Sequence, residues 1–408
     1  MNISPRLRFK SFVNPWAYDT LGNIATFKSG NTPSKENPNF WGGSIPWISA
    51  SSMYGHLFGD SDNRVTEEAL KAAKIAGKGT ILLLVRGSML FNKIPVGITT
   101  KDVTFNQDVK AINATKSVSN QFLFLWFLAK ENRLLNMVTG TGIGAGKLGT
   151  DELQSLPCNF PSNKEEQQKI ADFLTAVDTK INQLTEKHRL LKEYKKGVMQ
   201  QIFSQQLRFK DKDGKAFPEW EEKHFGEVFG RVTQKNSVNN LNVLTISAQK
   251  GLISQLEYFN KSVSAKDVSG YYLLRKGDFA YNKSYSQGYP MGAIKPLKFY
   301  DSGVVSTLYI CFRPKKGFKE AYFEQFFDAG MLNREIAKIA QEGARNHGLL
   351  NVSVKEFFDD IKLLVPHQNE QQKIAQFLQA LDSKIAAVSQ QIEQTKQFKK
   401  GLLQQMFV

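Results

Sequence analysis

EQQKIADFLTAVDTKINQLTEKHRLLKEYKKGVMQQIF at Glu166–Phe203 returns 204 residues later as EQQKIAQFLQALDSKIAAVSQQIEQTKQFKKGLLQQMF at Glu370–Phe407, identical at 19 of 38 positions. Both copies have a helical pattern. In the first, Ile170, Val177, Leu184, Leu191 and Val198 recur every seven residues, and Leu174, Ile181 and Ile202 fall four later, with His188 and Lys195 as the polar members of that row. The second copy repeats the stripe with Ile374, Leu381, Val388 and Leu402, and with Leu378, Ile385, Ile392 and Met406. A sustained seven-residue apolar stripe in an otherwise polar helix is a coiled-coil seam. Neither copy contains proline, and Pro161 and Pro366 precede them, which suits an abrupt entry into a helix. Each helix is expected to be roughly 57 Å long at about 1.5 Å per residue. The two seams are expected to cover each other in an antiparallel pair; two amphipathic helices packed separately on their own modules are the other arrangement.

The helices divide the 408 residues into four parts: a first module over 1–160, a helical spacer over 161–206, a second module over 207–365 and a second spacer over 366–408. The modules match weakly. Trp16 and Trp220 stand near their starts, Ile48–Ala50 parallels Ile246–Ala248, Lys78–Ile81 parallels Lys276–Phe279, and Pro95–Ile98 parallels Pro290–Ala293. A helical stretch follows in each, Asn120–Met137 and Lys319–Ile339, then a polar glycine-containing loop and a short strand before the long helix. Short strands rich in β-branched and aromatic residues, mixed with helices, predict an α+β fold: two pseudo-symmetric globular modules separated by two long helices. The repeat also closes on itself. Leu207–Lys210 (LRFK) follows the first helix, and the same LRFK opens the chain at Leu7–Lys10, so the start reads as the piece that should follow the second helix.

The formal net charge is +16, from 54 Lys and Arg against 38 Asp and Glu. A cationic surplus of that size favours a polyanionic partner, nucleic acid first, with a membrane surface or an acidic protein as the other classes. Cys158 and Cys311 are far apart and lack metal-ligand spacing, which excludes a disulfide scaffold and fits a reducing compartment. The longest apolar run, Phe122–Ala129, is far short of the roughly 20 residues a membrane helix needs, so a cytoplasmic protein is expected.

Catalytic motifs do not emerge. GTGIGAGK at Gly140–Lys147 resembles a phosphate-binding loop, but Thr141 stands where the first Walker glycine belongs and Leu148 follows the lysine. It also follows a helix rather than the first strand of a Rossmann unit. No zincin, Cys-x-x-Cys or G-x-S-x-G pattern is present. Asp359 and Asp360 read as the end of a helix or strand after Phe357 and Phe358, and the five histidines, His56, His188, His224, His347 and His367, are dispersed.

The entry Pro-x(4–5)-Glu-Gln-Gln-Lys-Ile-Ala at Pro161 and Pro366, the ending Lys-Lys-Gly-x-x-Gln-Gln-x-Phe at Lys195–Phe203 and Lys399–Phe407, and the trailing LRFK resemble the specificity subunits of type I restriction-modification systems. The resemblance covers the whole chain. It implies that each module is a target recognition domain binding one half of a split double-stranded DNA site. It implies that the helices form an antiparallel coiled coil that sets the spacing and docks two methyltransferase subunits, and that endonuclease/translocase subunits join that core. Methylation and cleavage would then belong to those partners, with S-adenosylmethionine, ATP and Mg as their cofactors, and this chain would carry no catalytic site, metal or cofactor.

Sequence readout uses Arg or Lys for guanine, Asn or Gln for adenine, and Ser or Thr more loosely, while cations, hydroxyls and amides hold phosphates. Side chains of these kinds in strand-ending loops of the first module are Ser49, Ser51, Ser52, Arg86, Ser88, Asn92, Lys93 and Lys147. In the second they are Ser247, Gln249 and Lys250, the run Asn282, Lys283, Ser284, Tyr285, Ser286 and Gln287, and Arg345, Asn346 and His347. The basic stretch Lys187–Arg189 with Lys192, Lys195 and Lys196 reads as a solvated face, or as a phosphate or methyltransferase contact. Two rivals remain: a coiled-coil scaffold whose basic modules bind RNA or anionic protein, and a nuclease or methyltransferase with a site of another type. The first does not explain why the helices match at half their positions while the modules diverge.

Overall fold

The computed structural model describes residues 4–142, 144–247, 250–259, 267–286, 288–340 and 350–408. The two long helices run over Lys164–Phe203 and Gln368–Met406. The chain divides into two compact units, residues 1–185 with 389–408, and residues 186–388. Each unit thus holds one module and one half of each helix.

In the first unit, Ile170, Leu174 and Val177 share a core with Leu402, Met406 and Phe407. In the second, Val198, Ile202 and Phe203 share one with Ile374, Leu378 and Leu381. The start of one helix therefore lies against the end of the other in both units, which is the antiparallel pairing the heptads predict. All sixteen apolar seam positions are buried or half-buried, with Ile181, Leu191, Ile385 and Ile392 in the second class. The polar members of the seam have partners as well. Lys399 Nζ bonds Asp178 Oδ1 at 2.6 Å in the first unit, and Lys195 Nζ bonds Asp382 Oδ1 at 2.6 Å in the second. The residue numbers of each pair sum to 577, so both halves obey one antiparallel register. A lysine inside a seam is tolerated only where an acid faces it, and such a pair specifies register.

The first module is built around a five-stranded sheet in the order Ala25–Ser29, Val109–Ala114, Ile81–Leu84, Val96–Thr99 and Leu57–Phe58. Ile81–Leu84 is buried at every position, as an apolar run in a sheet covered on both faces should be. A second sheet runs Arg64–Val65, Trp41–Ile48, Val103–Phe105 and Ile75–Ala76. The second module repeats four strands of the first sheet in the same order, Phe229–Arg231, Ile310–Pro314, Phe279–Asn282 and Ala293–Pro296. Its core is ring-rich: Phe229 packs against Phe279, Phe312 and Phe323 with centroids 4.8–6.2 Å apart. In each module the first and last strands pair antiparallel, Trp16–Thr20 with Pro157–Pro161 and Glu221–His224 with Lys362–Val365. The chain therefore leaves each module beside its point of entry.

The helical stretches expected over Asn120–Met137 and Lys319–Ile339 are each two helices. Lys130, at φ −98° and ψ 9°, separates Asn120–Ala129 from Glu131–Asn136. Gly330, at φ +73°, lies between Glu320–Asp328 and Asn333–Ile339, a conformation that ends a helix at little cost only in glycine. Phe357 and Phe358 belong to a short helix ending at Asp359, as expected. Among the described residues, no helix is long and apolar enough to cross a membrane.

Candidate nucleic-acid interface

Each module is fastened to its long helix by the duplicated EQQK motif. Glu166 is buried and accepts two bonds from the Arg8 guanidinium, Nε to Oε1 at 2.7 Å and Nη2 to Oε2 at 2.8 Å, while Trp16 Nε1 donates to Oε1 at 3.2 Å. Glu370 gathers the matching groups in the second unit, accepting from Arg208 Nε on Oε1 at 2.9 Å and on Oε2 from both Arg208 Nη2 at 3.0 Å and Trp220 Nε1 at 3.2 Å. The hydrogen bonds to these carboxylates raise both guanidinium pKa values above the ordinary arginine range. The adjacent glutamine closes the other side. Gln167 accepts from Ser119 N–H and donates to the Ser117 and Pro161 carbonyls. Gln371 accepts from Lys319 N–H and donates to the Pro366 carbonyl. Both glutamines are buried, so every bond offsets a desolvation cost that water no longer meets. The cyclic order is visible too: Leu7 N–H bonds the Gln405 carbonyl at 3.0 Å, and Leu207 N–H bonds the Gln201 carbonyl at 3.0 Å.

These fastening residues were not among the site candidates drawn from sequence. Their signal was present in the repeated spacing, since Trp and Glu stand 150 residues apart in both halves.

The candidate DNA contacts lie in loops at strand ends. In the first module Ser49, Ser51 and Ser52 close the turn Ala50–Ser52: Ser49 N–H donates to Ser52 Oγ at 3.0 Å, and the Ser49 and Ser51 hydroxyls are 3.0 Å apart. Only Ser51 of the three is exposed. Arg86, Ser88, Asn92, Lys93 and Lys147 are all exposed. The fold brings several of these together. Arg86–Gly87 pairs antiparallel with Gly146–Lys147, putting Arg86 opposite Lys147. A side-chain carbon built on Gly87 would stand 4.0 Å from Ala50 Cβ, so the serine turn adjoins that pair. Lys93 Nζ lies 5.7 Å from the centre of the exposed Tyr54 ring. The glycine-rich stretch that resembles a nucleotide loop is a β-hairpin, Thr139–Gly140 against Gly146–Lys147, with Gly142 and Gly144 at positive φ.

In the second module Ser247 is buried and its hydroxyl accepts from Lys250 N–H at 3.2 Å, the geometry of a turn residue, while Lys250 is exposed. Asn282 ends its strand and its Oδ1 accepts from Ser284 N–H at 3.1 Å. Lys283, Ser284 and Ser286 are half-buried and Tyr285 is exposed. Gln249, Gln287, Arg345, Asn346 and His347 lie outside the described residues. Among the described residues, no cluster of three or more His, Cys, Asp or Glu is placed to hold a metal ion.

A buried acid–arginine socket at the start of each long helix, a sheet order repeated in both modules and loops that differ between them define a duplicated two-module protein. A model of the family described as "Type I restriction modification DNA specificity domain" matches residues 14–192 and 218–397, and the chain belongs to that family. The resemblance drawn from the helix motifs is thereby borne out. The chain is 32% identical over 183 residues to the type I restriction enzyme EcoR124I/EcoR124II specificity subunit of Escherichia coli, covering 44% of this chain and 45% of that one. It is 27% identical over 227 residues to the MjaIX specificity subunit of Methanocaldococcus jannaschii, covering 52% and 51%. The chain thus spans about half the length of these two curated relatives. The MjaVIII specificity subunit of the same organism matches at 23% identity over 95% of this chain and 91% of its own. Among solved structures, the type I restriction-modification S subunit from M. genitalium shares the fold, with a TM-score of 0.56, 17% identity and coverage of 100% and 99%.

Proposed function

We propose that this chain is the sequence-recognition subunit of a type I restriction-modification complex, with each module binding one half of a bipartite double-stranded DNA target. The paired helices set the gap between halves and dock two methyltransferase subunits, to which endonuclease/translocase subunits add. Catalysis, with S-adenosylmethionine, ATP and Mg, belongs to those partners. The observation that carries this reading is the contrast within the repeat. The sockets that orient the modules are near-copies, whereas the loops differ in what they present: Arg86 opposite Lys147 in one, Ser284 and the exposed Tyr285 in the other. Two readers of different sequences on a common frame require that contrast. The surplus of +16 supports a polyphosphate partner.

The test is to reconstitute the chain with its methyltransferase subunit and map methylated positions on genomic DNA by single-molecule sequencing. Two short defined blocks separated by a fixed unspecified gap are expected. A continuous motif, or none with an active partner, would refute the two-reader account and return the basic charge to a scaffold role.

A further inference from the structure

We propose that Arg86 and Lys147 together clamp one backbone phosphate of the half-site bound by the first module. The proposal rests on the DNA-reading function above and assigns these two residues a role within it. They are directly opposed across an antiparallel strand pair, which puts their Cβ atoms about 5 Å apart. Both are exposed, and among the described residues neither forms a salt bridge. Like charges facing each other across a strand pair repel, yet the backbone is shaped to hold them there. Gly87 takes φ +149°, which a side chain would strain, and a Cβ on the buried Gly146 would meet Val138 Cγ1 at 2.8 Å and Leu90 Cβ at 3.0 Å. Two glycines thus press two short cationic strands together, and an anion between them turns the repulsion into attraction.

A phosphate is the anion that fits. The guanidinium fork takes the two non-bridging oxygens of a phosphodiester and the ammonium shares one of them. The hairpin beside the pair presents Gly140, Gly142 and Gly144 with no neighbour within 4 Å of where a Cβ would stand, so a nucleic-acid backbone can approach the main chain closely. Lys93, beside Tyr54, adds a further exposed cation on the loop that follows Arg86.

One backbone hydrogen bond beside this pair recurs in the second module. Leu148 N–H bonds the Val85 carbonyl at 2.9 Å, and Leu350 N–H bonds the Lys283 carbonyl at 3.0 Å. In that register the position of Arg86 is held by Ser284, and the residue preceding Leu350 lies outside the described residues. Ser284 thus stands in the second module where the guanidinium half of the pair stands in the first.

The test uses the chain in complex with its methyltransferase subunit and a duplex carrying the mapped motif. With Arg86→Gln and Lys147→Gln combined, the slope of log affinity against log salt should fall by about one, the signature of one lost phosphate contact. The methylated motif should stay unchanged. A single uncharged methylphosphonate, scanned through that half-site, should weaken the wild-type complex roughly tenfold at one position and leave the double variant unaffected there. Arg86→Lys with Lys147→Arg should keep the wild-type slope, which separates lost charge from lost folding. A changed base preference in one block would make Arg86 a base reader, and an unchanged slope would put both side chains off the DNA; either overturns the clamp and leaves the two-reader account standing. A wild-type complex with no split motif overturns both.

Discussion

Where the modules join their long helices they are near-copies of each other, and in the loops after their central strands they diverge, the first into the turn Ser88–Phe91 and the second into a bridge between Ser286 and Tyr289. Glu166 and Glu370 each gather one arginine and one tryptophan indole with distances that agree within about 0.2 Å. Arg86 and Ser284, at equivalent backbone positions, have nothing chemical in common. The physical reason lies in burial. A buried carboxylate must keep every partner, since an unpaired ion in the interior costs several kcal/mol. An exposed loop residue exchanges one set of water contacts for another. The middle of the range is occupied by the seam pairs. Asp382 takes Lys195 and also Gln325 Nε2 at 3.0 Å from its own module. Beside Asp178 the first unit instead has a groove of about 500 Å³ lined by Tyr54, Leu57, Gln121 and Phe124.

Glu370→Ala removes both Arg208 bonds and the Trp220 bond and should destabilise its unit by about 3 kcal/mol or more, read from urea unfolding. Glu166→Ala should cost the other unit the same within about 1 kcal/mol; a large inequality would mean that the two sockets are alike in geometry only. Deleting 187–190 together with 387–390, which preserves the 577 register, should shorten the spacer by about 6 Å and the methylated gap by about two base pairs. Smaller effects follow for the seam lysines. Lys399→Ala should cost about 1 kcal/mol and Lys195→Ala less, because Asp382 retains Gln325. Equal costs would remove the difference drawn between the two acids.

The smallest effect concerns the thiols. Burial pushes Cys158 and Cys311 up to about 12, so at pH 8 both are protonated in the folded state. Neither should react with a thiol reagent until its own unit unfolds, and two separate labelling rates would report the two unit stabilities in one experiment. Rapid labelling of folded protein would contradict their burial.

The parts legible in the sequence were those with local periodicity. The heptads from Ile170 to Ile202 and from Ile374 to Met406 name the buried seam residue by residue, because a helix face is determined by spacing alone. The parallel at Ile81 with Phe279 likewise falls on matching strands of the two sheets, whereas that of Pro95–Ile98 with Pro290–Ala293 is three residues out: Ile81 faces Ile98 and Phe279 faces Pro296, because the proline and glycine of the second module lie in the turn before its strand. The EQQK motif was legible as a repeat but not as a socket, since the partners of Glu166 stand 158 and 150 residues away in sequence. Ser247, chosen by analogy with Ser49, shows the limit of choosing by residue type. A serine at a strand end serves its own turn as readily as a ligand, and only burial distinguishes them. The antiparallel register emerged from Lys195 and Lys399, which the apolar stripe leaves as gaps and the structure fills with Asp382 and Asp178.

The most direct test of the account is to place the first module in both frames, replacing residues 221–365 by residues 17–161 behind the retained Trp220, and to map methylation by the complex with the methyltransferase subunit. The shared sockets and equivalent sheets predict a motif whose two blocks are the same sequence inverted, separated by the wild-type gap. A folded chimera that still methylates the wild-type asymmetric motif, or that loses the fixed gap, would contradict the claim of two interchangeable readers on one frame.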